Sequence, residues 1–445
     1  MAAVSKPKMF EKPAGVRDYL PEAAERLRHI ERRVLECMGR WGYREIVTPT
    51  LEYYDTVGMA SSTSDARLFK LLDKRGVTLV LRSELTAPIA RVVATLLGDE
   101  PLPLRLSYSA NVFRAMEDEA GRDAEFHQTG VELVGDASAE ADAEVIALAI
   151  ASLEAAGIGS FKIALGHVGY LNGLLREALA DDPETQVALK ECLLRRDHVG
   201  YRDRIARLPV SEEIRRELED LLRLRSGREI CEQAARLASV PARGGEVREA
   251  LDHLCRIWGA LCDYGVSEHV LIDLTLIGDF SYYTGMIFEG YAAELGFPVV
   301  SGGRYDNLLA QFGRPAPATG FALKTNRILE VVGSRPLEGP RRVLIRYAVS
   351  RRAEALRRAA ELRGREGYAV ETQPIPEGRV EAVPPGSLSG TASTASPSGD
   401  ALTGGPSGAA VSGSPSGASA EPDDARFLAR YDEIITFTDA EENGR

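Results

Sequence analysis

Two stretches of this chain alternate apolar and polar side chains and flank a polar loop: LRLSYSANVFR, residues 104–114, and EFHQTGVELV, residues 125–134. Such a pair reads as an antiparallel hairpin. Successive side chains on a strand point to opposite faces. Phe126, Gln128, Gly130, Glu132 and Val134 therefore share one face, and His127, Thr129, Val131 and Leu133 share the other. The first face sets an amide and a carboxylate either side of a glycine, about 13 Å apart along the strand. Glycine there leaves room for a ligand or for close backbone approach. Alternation by itself favours a plainer reading, the solvent-facing polar side of an edge hairpin.

Bulk properties narrow the classes. A chain of 445 residues can bury a sizeable core and form two or three domains. Its 44% apolar and 27% charged content is that of an ordinary soluble globular protein. A formal net charge of −12 argues against a large nucleic-acid footprint, which needs clustered Lys and Arg. The five cysteines (Cys37, Cys192, Cys231, Cys255 and Cys262) show no C-x-x-C spacing and read as small buried apolar residues in a reducing compartment. The six histidines form no H-E-x-x-H or Cys/His cluster, so neither a metal nor another cofactor is expected. The N-terminus lacks an apolar signal core, and the apolar run Val145–Ala151 is too short to span a membrane. These points predict a cytoplasmic protein with no membrane partner.

Along the chain, Leu27, Ile30, Val34, Met38 and Trp41 recur at spacings of three and four, predicting an amphipathic helix over 22–41. A strand is expected from Tyr43 to Leu51, a short strand over VTLVLR (77–82), and a helix after SELTAP. Residues 139–156 read as a helix, 161–166 as a strand, and about 168–264 as a helical region inserted between core strands. Strands resume at 269–277, 283–291 and 297–301, and a strand and helix over 319–332 close the first domain, 1–332. A second domain, 341–445, opens with a β-α-β unit over 341–375 and ends in a strand at 432–439. Between them, residues 384–420 are mostly Ser, Gly, Pro and Ala with one charge, Asp400. Such a segment cannot bury enough apolar surface to offset its ordering entropy and is expected to be a disordered linker.

Several short segments carry chemistry. In LRSELTAP, Glu84 and Thr86 follow a strand, where a carboxylate and a hydroxyl can receive an ammonium group. Ser83 or Thr86 could equally cap the following helix, with Glu84 left free to bind. Arg114 offers a planar guanidinium suited to bidentate anion binding. Tyr282 and Tyr283, in SYYTGMIF, and Tyr305, in SGGRYDN, are aromatic hydroxyls able to stack on an imidazole and hydrogen-bond to it. By composition alone an aromatic pair belongs more often to a core than to a pocket.

In this order, the motifs resemble those of class II aminoacyl-tRNA synthetases of the histidyl type. Residues 113–135, FRAMEDEAGRDAEFHQTGVELVG, resemble motif 2, and residues 278–288, GDFSYYTGMIF, resemble the second histidine-binding motif. There the family writes Arg-Gly-Leu-Asp-Tyr-Tyr, whereas this chain has Gly278 for the Arg and Ser281 for the Asp. Motif 3 is altered too, reading GFALKTNR with Lys324 for Gly and Asn326 for Glu, while Arg327 survives. Lys324 is expected to crowd the floor of the adenine site. In the motif 2 loop Met116 replaces an acidic residue, Glu117 is out of register, Arg122 is kept and Ala124 replaces an arginine. Amino-acid contacts kept beside decayed ATP contacts resemble the synthetase-like regulatory subunits of ATP phosphoribosyltransferase, the first enzyme of histidine biosynthesis.

The resemblance covers residues 10–332 and implies an α+β class II synthetase-like core, a mainly antiparallel sheet flanked by helices. To this it adds the helical insertion and a shortened C-terminal α/β domain of the anticodon-binding type. It implies a histidine pocket formed by Glu84, Thr86, Arg114, Gln128, Glu132, Tyr282, Tyr283 and Tyr305, with no catalytic residue. It implies the short-form catalytic subunit of ATP phosphoribosyltransferase as partner, L-histidine as ligand, a homodimer within a hetero-oligomer, and no tRNA. The alternative is a functional histidyl-tRNA synthetase. Deleting residues 384–420 and joining the ends with a short linker is expected to leave the melting temperature within a few degrees in a thermal scan; a large drop would show that the segment packs.

Overall fold

A computed structural model describes residues 12–115, 123–179, 182–222, 225–226, 245–277, 282–333, 339–375 and 426–438. The first helix, α1 (Pro21–Arg40), starts on a proline, whose missing N–H costs nothing there. Its Leu27, Ile30, Val34 and Met38 form the buried stripe read from the sequence, and Trp41 packs half-buried behind them.

The expected strand over 43–51 is broken into β1 (Arg44–Glu45) and β2 (Leu51–Tyr53). Pro49 has no N–H to give a ladder. The Arg82 guanidinium takes up the local carbonyls, donating from Nη1 to Thr48 O at 2.7 Å and from Nε to Asn111 O at 2.8 Å. β2, β3 (Lys70–Leu72) and β4 (Thr78–Leu81) make a small antiparallel sheet, and α2 (Thr86–Thr95) follows.

The main sheet has nine strands among the described residues, in the order β1-β5-β6-β12-β11-β10-β7-β9-β8. The hairpin is β5 (Leu104–Phe113) and β6 (Glu125–Val134). β7 is Phe161–His167, β8 Arg225–Ser226, β9 Val270–Asp273, β10 Met286–Ala292, β11 Pro298–Arg304 and β12 Ala318–Lys324. All neighbours are antiparallel except β1–β5 and β7–β9. β6 is thus an interior strand between β5 and β12, not an edge, and its polar face is buried.

Each face of β6 has its own core. Val131 and Leu133 pack with Ile30 and Val34 of α1 and with Ile146 and Ile150 of α3 (Ala139–Ala155). Tyr108, Val112 and Val134 pack on the other face with Leu85, Ile89 and Tyr305. α3 is apolar nearly all round and so is buried on every side. Ser138 caps it, accepting from Ala141 N–H at 3.1 Å. Between β7 and β9 come α4 (Val168–Ala178), α5 (Pro183–Leu194), α6 (His198–Ala206), α7 (Glu212–Asp220) and α8 (Gly245–Asp263); α8 packs on α3 and α4. Thr325–Val332 forms α9 after β12.

A buried ion pair ties these elements. Asp142, in the first turn of α3, is wholly buried and accepts from Arg304 Nε at 3.0 Å and Nη2 at 2.8 Å. His253 of α8 lies 3.5 Å from the same carboxylate.

Contacts divide the chain into two compact units, Met1–Arg335 and Pro336–Arg445. In the second, β13 (Arg341–Tyr347) pairs in parallel with both β14 (Tyr368–Pro374) and β15 (Glu433–Phe437). α10 (Arg352–Arg363) covers this sheet through Ala355, Ala359 and Leu362. The 384–420 linker, Met116, Glu117, Arg122, Gly278 and Ser281 lie outside the described residues. Among the described residues no helix is long and apolar enough to cross a membrane.

Removing one partner of a buried ion pair strands the other charge. Asp142→Ala is therefore expected to lower the unfolding free energy by about 3–5 kcal/mol in a urea titration; a loss below about 1 kcal/mol would mean that Arg304 finds water or another partner.

Candidate functional site

The polar face of β6 opens on a cavity of about 500 Å³, its mouth included. Glu84, Thr86, Arg114, Gln128, Glu132, Tyr282, Tyr283 and Tyr305, picked from four separate segments of sequence, all line it. Tyr108, Ser301, Gly320, Phe321, Ala322 and Lys324 line it as well, and the sequence reading did not place them there.

Glu132 is the deepest group. Its Oε1 accepts from the Thr86 hydroxyl at 2.8 Å, and its Oε2 accepts from the Tyr305 hydroxyl. The room for this carboxyl comes from Gly320, the residue paired with Glu132 across β6 and β12. A Cβ on Gly320 would stand 2.0 Å from Glu132 Oε2. Burial pushes the Glu132 carboxyl up to about 8, against the lowering effect of the two hydroxyl donors, and the Glu84 charge adds to the rise. Glu132 is therefore mostly a neutral acid at pH 7. Since this value lies above the unfolded one of about 4.5, the stability it contributes is full at low pH and is lost as pH rises through about 8.

Glu84 satisfies the start of a helix. Its carboxylate accepts from Thr86 N–H at 2.7 Å and Ala87 N–H at 3.2 Å, so Glu84, not Ser83 or Thr86, satisfies the start of α2. The negative charge also suits the positive end of that helix. Ser83 instead shares a hydrogen bond with Ser61 at 3.0 Å. A carboxylate has about four acceptor positions, so Glu84 can cap and still receive a ligand donor.

At Gly130 the second of the two expected reasons for a glycine holds, close backbone approach. Its space is not open to a ligand, because a Cβ there would meet Phe321 O at 2.1 Å and Tyr108 Oη at 2.5 Å. Tyr108 pairs with Gly130 across the hairpin, and its ring floors the cavity. Pairing the two strands register by register would have found Tyr108 from sequence.

Three tyrosines form the aromatic wall. Tyr282 stands edge-on to Tyr283 with centroids 5.2 Å apart, and tilted to Tyr305 at 5.5 Å. Burial holds the Tyr282 and Tyr305 hydroxyls well above the ordinary phenol range, so they act as donors. At the far end, Arg114 donates from Nε to Ser83 O at 2.9 Å and lies 5.2 Å over the Phe126 ring. Gln128 is buried, 3% exposed.

The altered motif 3 residues have local tasks. Asn326 Oδ1 accepts from His127 N–H at 3.0 Å, and its amide donates to Asp123 at 3.3 Å. Arg327 donates to Pro298 O at 2.7 Å and covers the Phe297 ring. Among the described residues no cluster of His, Cys, Asp and Glu could hold a metal ion.

The histidyl-tRNA synthetase family model matches residues 15–328. An ATP phosphoribosyltransferase regulatory subunit of Geobacillus thermodenitrificans (strain NG80-2) is 48% identical over 367 residues, 82% of this chain and 91% of that protein. The same-named protein of Bacillus subtilis (strain 168) is 48% identical over 324 residues, 73% of this chain and 82% of that protein. A solved structure described as an ATP phosphoribosyltransferase regulatory subunit/histidyl-tRNA synthetase from Bacillus halodurans C aligns with a TM-score of 0.80 at 40% identity, over 97% of this chain and 99% of that one. A histidyl-tRNA synthetase from Nostoc sp. PCC 7120 has a TM-score of 0.72 at 19% identity, over 83% of this chain and 87% of that one, and shares the fold. Nearly half its residues shared along most of both chains, on a histidyl-tRNA synthetase core, show that this chain belongs to the ATP phosphoribosyltransferase regulatory subunit family.

Proposed function

We propose that this chain is the non-catalytic, histidine-sensing subunit of ATP phosphoribosyltransferase. It serves the first step of L-histidine biosynthesis in the cytoplasm, beside a short-form catalytic subunit, as a homodimer within a hetero-oligomer and without tRNA. One observation carries the reading: the eight recognition residues line a single cavity, in a chain with Gly278 where an amino-acid-activating enzyme needs a cation. Activation requires preorganised positive charge where negative charge develops, whereas a sensor needs only the ground-state amino acid. The imidazole sits between Glu132 and the tyrosine wall, and the ammonium meets Glu84, Thr86 and Gln128. Feedback then follows if histidine binds one state of the complex more tightly than the other.

The competing reading, a working synthetase, is disfavoured by Gly278, Ser281, Lys324 and Asn326 together. With ATP and histidine, the purified chain is expected to show no pyrophosphate exchange above background, and Gly278→Arg alone is expected not to restore it. Robust exchange by the unmodified chain would establish the synthetase reading. Copurification with the catalytic subunit, followed by an activity assay with and without histidine, tests the partnership.

Histidine affinity should follow a bell in pH, because one proton is shared between Glu132 and the imidazole. Below about 6.5, the ordinary imidazole value, the free partners hold two protons and one must leave. Above about 8, Glu132 has ionised and the imidazole is neutral, so a proton must be taken up. Calorimetry is expected to show affinity falling about fivefold from pH 8 to pH 9. The ligand's ammonium also loses its proton in this range, so Glu132→Gln, which lacks the carboxyl titration, should still lose affinity over that unit but less steeply than wild type, while binding more weakly throughout by about 1–3 kcal/mol. An unchanged upper limb in Glu132→Gln would place the ligand elsewhere in the complex.

A further inference from the structure

Arg304 ends β11 and is 3% exposed, and every N–H of its guanidinium is taken. Besides the two bonds from Nε and Nη2 to Asp142, Nη1 donates to Asp136 O at 3.0 Å and to Asp306 Oδ1 at 3.2 Å, and Nη2 donates to Ser138 O at 3.3 Å. A guanidinium carries five N–H donors in a fixed fork, so acceptors for all of them leave it one orientation. An arginine present only to neutralise Asp142 would need no more than the two carboxylate bonds.

This fixed side chain stands back to back with the cavity. Successive side chains on a strand point to opposite faces, so Arg304 reaches toward α3 while Tyr305 enters the cavity. The main chain of Arg304 also holds the segment that bears the other two tyrosines of the wall. Arg304 O accepts from Thr284 N–H at 2.8 Å, and the Thr284 hydroxyl accepts from Asp306 N–H at 3.0 Å. Asp306 Oδ1 in turn accepts from Ala318 N–H at 3.2 Å, beside the bond from Tyr305 N–H to Ala318 O. Glycines let the two segments touch. A Cβ on Gly285 would stand 2.9 Å from Arg304 Cδ, and one on Gly303 would stand 2.7 Å from the Tyr283 ring. Tyr282, Tyr283 and Tyr305 are thus registered on one buried residue that does not itself line the cavity.

We propose that Arg304 is a positioning residue for ligand recognition: it sets the gap between the tyrosine wall and Glu132, and through that gap the preference of the cavity for an imidazole over an apolar ring of the same size. This rests on the histidine reading above and deepens it. A hydrogen bond to Glu132 weakens steeply with angle and distance, so the imidazole must be held at one depth. An apolar ring makes no directed bond and tolerates a wall that has shifted. Loosening the wall therefore costs the imidazole more than its apolar counterpart.

The test uses the full-length chain as wild type, Arg304→Lys and Ile205→Val, the last a mild core truncation on α6 outside the cavity. Lysine keeps the charge opposite Asp142, which favours folding, but its three donors cannot serve all the acceptors of the fork. Calorimetry with L-histidine, and with thienylalanine as the apolar ring, gives the ratio of the two affinities. A loss of folded protein lowers both titrations alike and leaves that ratio unmoved. Arg304→Lys is expected to bind histidine about tenfold more weakly, the value of one hydrogen bond, with thienylalanine unchanged. Ile205→Val is expected to keep the wild-type ratio. A wild-type ratio in Arg304→Lys would overturn the proposal. A second readout needs no ligand. In fluorotyrosine-labelled protein, the Tyr305 fluorine resonance is identified by its loss in Tyr305→Phe; it should move in Arg304→Lys and stay in place in Ile205→Val. An unmoved resonance in Arg304→Lys would overturn the positioning whatever the cavity binds. Binding of neither amino acid by wild type would overturn the histidine reading and the ring preference with it, while the resonance still decides whether Arg304 sets the wall.

Discussion

A protonated carboxyl group held on a sheet face by two hydroxyls is the interaction on which the site depends. Glu132 joins three segments far apart in sequence: its own strand, the start of α2 through Thr86, and the segment after β11 through Tyr305. Each hydroxyl is itself fixed. Thr86 is held because Glu84 ties down the first N–H groups of α2. Tyr305 is held because its N–H donates to Ala318 O at 2.8 Å and because Arg304, its neighbour, is locked on Asp142. Gly320 completes the arrangement by giving up its side chain to the Glu132 carboxyl.

The Arg304–Asp142 pair supports this from behind. A buried ion pair is weak evidence for stability, since the cost of removing two charges from water nearly cancels their attraction. What it supplies here is position. Arg304 also donates to the carbonyls of Asp136 and Ser138, at 3.0 and 3.3 Å, so one guanidinium satisfies the approach to α3 and that helix's first carboxylate together. Burial raises Asp142 to about 6, with Arg304 opposing the rise, so it is ionised at neutral pH. His253 beside it is neutral, lowered by burial to about 4, and so is His167, which stands edge-on to His253 and is lowered by burial to about 3. Both values lie below the unfolded one, so the stability they contribute is present above about 6.5 and is lost as the pH falls toward 4.

Much of this was legible because side-chain periodicity is a local property. The stripe on α1 and the alternation of β5 and β6 need no knowledge of partners, and both appear where the spacing puts them. The selection of Glu84, Gln128 and the tyrosines rested on resemblance, and the structure gathers them around one cavity. What stayed hidden depends on the third dimension. Tyr108 becomes a pocket residue only once it pairs with Gly130. Nothing in the composition of Tyr43–Leu51 says that a guanidinium thirty residues onward will take its carbonyls. Asp142 and Arg304 are an ordinary acidic helix start and an ordinary arginine at a strand end until the fold buries them together.

Sensing and activating place different demands on the same pocket. An activating enzyme must hold its cation where charge develops in the transition state, even if the ground-state ligand gains little from it. A sensor gains only from ground-state affinity, and it must also have an empty state that is stable in its own right. The Glu132 cluster meets the second demand. Thr86 and Tyr305 satisfy the Glu132 carboxyl, and burial favours its uncharged form. Through these hydroxyls Glu132 is joined to Thr86 on α2 and to Tyr305 beside the buried Arg304–Asp142 pair. Both are elements of the rigid core, so a change at Glu132 has a structural route beyond the cavity that an exposed carboxylate would lack.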